Sequence, residues 1–165
     1  MIRHAIAEPR EDFADDAQRP LTRKGAKRFQ RVVRGLDVLG VELCAVLHSP
    51  WRRAVETARL LGPIVRGDLD GALRSTERLT ASPRPELLAE IVEASEACAG
   101  GAVAVVGHEP WLAELVATLC FGEPRWAARM PLRKGGVAWL DGDVAAGQMT
   151  LHALLPPAVL RRTED

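Results

Sequence analysis

The residues most able to do chemistry in this sequence fall into three short groups. Arg3-His4 stands at the N-terminus, Ser49-Pro50-Trp51-Arg52-Arg53 near the end of the first third, and Gly107-His108-Glu109-Pro110 further on. A neutral imidazole is a competent nucleophile or proton carrier near neutral pH. A guanidinium is permanently charged, planar and able to hold two phosphoryl oxygens at once. Two histidines and two or more arginines on one rim would therefore suit phosphoryl transfer. Taken singly, each group has a plainer reading: a frayed terminus, a solvated helix face, a strand-to-helix turn. Only their convergence gives them a function.

Convergence requires elements that end together. Leu43-Cys44-Ala45-Val46-Leu47 and Ala102-Val103-Ala104-Val105-Val106 are short unbroken apolar runs, as expected of strands covered on both faces. The first runs into His48-Ser49-Pro50 and the second into Gly107-His108. Ligands of open α/β sheets bind beyond the carboxyl ends of strands. Gly136–Leu140 and Met149–Leu154, flanking Asp141-Gly142-Asp143, predict a C-terminal hairpin. Helical periodicity lies between the strands. Thr22 caps a helix with Ala26, Phe29, Val33 and Leu36 on one face. Ser49-Pro50 starts another that runs to about Leu61. Pro85 to about Ala99 forms a third, and Pro110 to roughly Leu119 a fourth, stopped by Gly122. Residues 62–85 predict a long loop with at most one short element. The fold class is α/β: one domain over residues 1–165, a three-layer α/β/α sandwich around a mostly parallel sheet.

The bulk numbers narrow the classes of function. With 165 residues, 47% hydrophobic and 27% charged, the chain can bury a core of its own. Lys plus Arg and Asp plus Glu are 22 each, so net charge is zero. That argues against non-specific nucleic-acid or anionic-membrane binding. No apolar run approaches the roughly 18 residues of a membrane span, and no signal core is present. A cytoplasmic location is expected. Cys44, Cys98 and Cys120 are scattered, and read as idle thiols with no disulfide framework and no zinc cluster.

The ordered set Arg3-His4-Ala5, Arg19-Pro20-Leu21-Thr22-x-x-Gly25, Ser49-Pro50-x-x-Arg53-Ala54-x-x-Thr57-Ala58 and Gly107-His108-Glu109-Pro110 resembles the histidine phosphatase superfamily, which includes the phosphoglycerate mutases. Short length, the Arg-Pro-Leu-Thr segment and Arg-His-Ala resemble its SixA-type phosphohistidine phosphatases most. The resemblance runs from Arg3 to about Leu119. It implies a phosphoglycerate mutase-like fold and a nucleophilic role for His4, which becomes transiently phosphorylated. Arg3 and Arg53 would bind the phosphoryl oxygens, and His108 would donate a hydrogen bond as charge shifts. No cofactor and no metal is implied. Ser49 and Arg19 are secondary candidates for contact with the phosphoryl group.

Two departures from the family pattern matter. Only Met1 and Ile2 precede Arg3-His4, so the first strand is expected to be truncated, or the native product to carry a few more apolar residues. The glutamate acid of phosphoglycerate mutase-like members has no convincing counterpart here, and Glu77 is the candidate if one exists. An imidazole leaving group needs less protonation than an alkoxide. The favoured substrate is therefore phosphohistidine in a protein. The alternatives are a small phosphate ester, or a non-catalytic phosphate-binding module. The plainer reading stands for His48 and His152 as structural and for the four tryptophans as packing; Arg129, Arg133 and Lys134 could form a local basic edge for an acidic partner, and a solvated face is the plainer reading of them.

Overall fold

The computed structural model describes residues 1–98 and 101–162. In chain order the elements are β1 (Ile2–Arg3), α1 (Arg23–Val38), β2 (Leu43–His48), α2 (Arg52–Arg59), α3 (Leu69–Ala72), β3 (Leu73–Ser75), α4 (Pro85–Glu96), β4 (Ala102–Gly107), α5 (Trp111–Phe121), β5 (Val137–Gly142), β6 (Met149–Leu155) and α6 (Pro157–Leu160). The strands form one six-stranded sheet in the order β3-β2-β4-β1-β5-β6. The β3-β2, β2-β4 and β4-β1 pairings are parallel; β5 runs antiparallel to β1 and to β6.

Alternate residues of the inner strands feed two cores. Val46, Ala104 and Val106 face Phe29, Val32, Val33 and Leu36 of α1, Ala54 and Ala58 of α2, and Leu160 of α6. Ala45, Leu47 and Val105 face Leu87, Ile91 and Ala94 of α4 and Leu112, Leu115 and Leu119 of α5. Burial on both faces explains why β2 and β4 read as unbroken apolar runs. The layered α/β/α class holds, with the expected hairpin supplied by β5 and β6.

Several boundaries differ from the sequence reading. The strand before His4 is indeed two residues long, yet it sits inside the sheet. Ile2 pairs with Val106 on one side and Val137 on the other. The Met1 amino group donates to Ala138 O at 2.8 Å, and burial lowers its pKa to about 5. Residues 62–85 hold more structure than one short element: α3, two 3-10 turns (Gly62–Ile64 and Glu77–Thr80), and β3, which pairs with β2. α2 begins at Arg52, with Trp51 at its cap and not Ser49. α4 ends at Glu96, and Ala99, where its end was expected, lies outside the described residues.

The expectation of three idle thiols is overturned for two of them. Cys44 and Cys98 form a disulfide, with Cα atoms 5.7 Å apart across a sequence separation of 54; Cys120 is free. Spacing of this kind is invisible in sequence, because only the packing of α4 against β2 brings the two together. No helix of the described residues is long and apolar enough to cross a membrane.

Candidate active site

β1, β2 and β4 are parallel, so their carboxyl ends share one rim, and His4, Ser49 and His108 follow those ends directly. Backbone bonds lock the register: His4 N donates to Gly107 O at 3.0 Å and Ser49 N to Val106 O at 3.0 Å. From the other side Gly135 N donates to Arg3 O and His4 O, at 3.0 and 3.1 Å. Two residues of strand therefore suffice to place His4, because its own backbone is bonded on both sides.

The segment after His4 is also tied to α2. Ala5 N donates to Thr57 Oγ1 at 3.0 Å, and that hydroxyl donates to Arg53 O at 2.6 Å. Thr22 caps α1 as expected, its hydroxyl accepting from Gly25 N at 2.8 Å. A Cβ on Gly25 would lie 2.1 Å from Ile6 O, so glycine alone lets α1 approach the strand that carries His4.

His4 itself is buried. Its Nδ1 lies 2.7 Å from Ala5 O, an acceptor only, so Nδ1 carries the proton and donates. Nε2 is then the unprotonated nitrogen, and Arg53 Nε donates to it at 3.3 Å. Burial, then the charges of His108, Arg53 and Arg3, lowers the His4 pKa to about 2. His108 is lowered to about 3, by burial first and Arg53 next. Its ring lies 5.1 Å from that of His4, and its Nε2 is 2.8 Å from Ser49 Oγ. The Ser49 hydroxyl accepts from Trp51 N at 3.3 Å, which spends it on the turn before α2 and aims it at His108.

The arginines are held on protein oxygens. Arg3 Nη1 donates to Leu132 O at 2.8 Å. Leu132 N in turn donates to Glu109 Oε1 at 2.5 Å, so Glu109 anchors the loop that supports Arg3. The Glu109–Pro110 peptide is cis. Arg53 donates from Nη1 to Asp16 O at 2.6 Å and from Nη2 to Asp16 Oδ2 at 2.8 Å, and stacks 4.5 Å from the Trp51 ring centre. Arg19 joins the same carboxylate through Nε at 3.0 Å, and Arg10 approaches it at 3.4 Å. Burial opposes ionisation of Asp16, yet Arg53 and Arg19 outweigh it and hold the carboxyl below its ordinary range. Two buried polar atoms, Arg3 Nε and His108 Nδ1, have no hydrogen-bond partner within the described protein.

Arg3, His4, Ser49, Arg53, His108 and, through Asp16, Arg19 are thus assembled on one rim. Glu77 is not: it is exposed, shares a groove with Arg84 and Glu86, and makes no side-chain bond to the cluster. Trp51 packs on the rim, covering His108 at 4.5 Å between ring centres. Lys134 is exposed, as expected of a solvated face, and partial burial, then Arg3, Arg19 and Arg53, lowers its pKa. Asp16 was missed, because nothing distinguishes it by type from Asp12 and Asp15 beside it. The spacing to Arg19 was its only signal. Among the described residues no group of three or more His, Cys, Asp or Glu could hold a metal ion.

A mostly parallel α/β sheet with two neutral histidines, a buried Arg53 and a half-buried Arg3 at its strand ends defines a phosphoglycerate mutase-like protein. Comparison with known proteins agrees. The SixA structure solved with tungstate superposes with a TM-score of 0.76 at 28% identity, covering 96% of both chains. The phosphohistidine phosphatase SixA of Escherichia coli is 31% identical over 112 residues, 68% of each chain. An uncharacterized protein of Picosynechococcus is 33% identical over 157 residues, 87% of this chain and 84% of that one. No family model matches the sequence. The chain belongs to the histidine phosphatase superfamily, alongside SixA, and this membership supports phosphatase activity.

Proposed function

We propose that this protein is a phosphatase that works through phospho-His4, and that its substrate is phosphohistidine in a protein. The observation that carries the reading is the tautomer of His4. With Nδ1–H donated to Ala5 O, Nε2 keeps an unprotonated lone pair, which attacks phosphorus once Arg53 Nε turns from it to a phosphoryl oxygen. An imidazole kept neutral by burial and by surrounding cations needs no base to activate it.

In the first displacement the Nε2–P bond forms as the P–N bond of the substrate breaks, and the departing imidazole takes the electron pair and leaves neutral, its other ring nitrogen carrying a proton. In the second, water attacks phospho-His4, the Nε2–P bond breaks with its electron pair returned to Nε2, and inorganic phosphate leaves with both protons of the water, restoring His4 with its Nδ1–H. Arg3 and Arg53 bind the equatorial oxygens, Arg3 Nε and His108 Nδ1 being donors with no protein acceptor. Donors fixed before reaction do most of the work in phosphoryl transfer. The tungstate bound by the related SixA is an oxyanion that can stand in for phosphate, which supports the same role for this rim. Among the described residues Glu77 is exposed and Asp16 is held ionised by Arg53 and Arg19, so neither supplies an acid for an alkoxide, and this favours an imidazole leaving group.

Rapid mixing with a phosphohistidine protein should trap acid-labile phosphate on His4. His4→Ala should lose that phosphoenzyme and more than about 10³-fold of turnover. A His4→Ala protein that still turns over at the parent rate, or a parent that prefers phosphate esters, would overturn the proposal.

A further inference from the structure

The charges of this neutral chain are segregated. α1 carries Arg23, Lys24, Lys27, Arg28, Arg31 and Arg34, with Asp37 as its lone carboxylate near the far end. Between α1, α6 and the segment entering β5 opens a cleft of about 730 Å³. Its charged lining is Arg3, Arg28, Arg133, Lys134 and Arg161, with no carboxylate among the lining residues. The side chains of Arg28, Arg133, Lys134 and Arg161 make no hydrogen bond or ion pair among the described residues. Arg31 Nη2 donates to Arg161 O at 3.0 Å and joins the two helices that wall the cleft.

This cleft continues into the catalytic rim. Arg3 lines both, and Lys134 senses Arg3, Arg19 and Arg53. The cleft also has an apolar wall on α6 and the residue before it, with Pro156 exposed and Val159 50% exposed. Crowded cations with no counter-charge among the described lining residues favour an anionic ligand. A bare phosphate track would use the cations and leave the wall idle. An acidic segment bearing apolar side chains satisfies both.

We propose that the cleft docks an acidic, amphipathic segment of the phosphorylated protein partner. Its carboxylates sit on Arg28, Arg133 and Arg161, and its apolar side chains on Pro156 and Val159. The phosphorylated side chain then enters past Lys134. The inference rests on the phosphoprotein reading of the site, and adds to it where the partner binds and what its surface must be.

Binding tests it without catalysis. Labelled unphosphorylated amphipathic peptides, one rich in Glu and one with Gln at the same positions, are titrated with the full chain, beside a single-stranded oligonucleotide of matching charge. The Glu peptide should bind about tenfold or more tighter than the Gln peptide, and the double variant Arg28→Glu/Arg161→Glu should erase that margin. Arg28→Lys/Arg161→Lys should retain most of it, with circular dichroism confirming that both variants fold. Equal affinities, indifference to the variants, preference for the oligonucleotide, or a self-association that the Glu variants abolish would each overturn the proposal. A second arm compares kcat/KM for free phosphohistidine with that for a phosphohistidine peptide of the Glu series. Failure to hydrolyse either the free phosphohistidine or the phosphohistidine peptide would sink the catalytic reading, while the binding arm still decides the cleft.

Discussion

At the scale of single residues, the nucleophile is held neutral at the cost of acid stability. His4 and His108 titrate near 6.5 when unfolded, but only at about 2 and about 3 when folded. Between those limits the unfolded chain binds more protons, so stability is full above about 6.5 and falls as pH falls. The loss is roughly 1.4 kcal/mol per pH unit for each histidine. Thermal melts between pH 7 and pH 4 should show a falling Tm, and His108→Asn should flatten the slope. Phosphate or vanadate should flatten it too, because a bound anion draws the folded pKa values upward. Asp16 offers a second prediction. It is the carboxylate that Arg53 is bonded to, and Arg53 is 3% exposed. Asp16→Asn should cost about 1–3 kcal/mol in urea unfolding, with part of the loss restored by millimolar phosphate. Arg53 and His108 stood out in the sequence because each follows an apolar run at a helix start, whereas Arg3-His4 stood out only as the first of four ordered motifs. Asp16 was not, because its role depends on a surface turn folding back over α2.

At the scale of elements, the site depends on close approaches more than on long strands. Gly25 lets α1 pass the carbonyl of Ile6, and Gly25→Ala should therefore destabilise the fold by about 2 kcal/mol or more while lowering turnover. Paired measurement of the melt and of kcat/KM checks it; a fully active, equally stable variant would contradict this packing. The runs at β2 and β4 and the cap at Thr22 were readable, since burial on two faces and a capping hydroxyl leave local signals. The start of α2 was misplaced by two residues. Ser49-Pro50 has the chemistry of a cap, but tertiary contact turns the serine toward His108 instead. β3 was missed because Leu73–Ser75 is three residues at a sheet edge, too short for a period to show.

At the scale of the whole molecule, the disulfide and the site occupy opposite ends of the sheet. Cys44 lies near the start of β2 and His48 at its end, about 13 Å apart along the strand. Closing a loop across a separation of 54 residues should stabilise the fold by about 2–4 kcal/mol, mainly by restricting the unfolded chain. Cys98→Ser should accordingly lower the urea midpoint and leave kcat on free phosphohistidine within about twofold, since additivity holds between distant sites. A large loss of rate at unchanged stability would show that the bond acts on the site. The pairing was not legible, and of the basic cleft only Arg133 and Lys134 showed, as a candidate basic edge, because both features join segments that meet only in the finished fold.

The placement of β1 has a kinetic consequence. The strand leading to the nucleophile is synthesised long before some of its partners: Met1 bonds to Ala138 across 137 positions and Arg3 to Leu132 across 129. Contacts so distant along the chain form late, after loop-closure entropy has been overcome by other pairings. Pulse-labelling hydrogen exchange during refolding should find the amides of Arg3 and His4 gaining protection with or after that of Ala138, and after those of β2 and β4. A nascent or half-folded chain would then hold its sheet before it can hold a phosphoryl group, and activity would report completion of the fold.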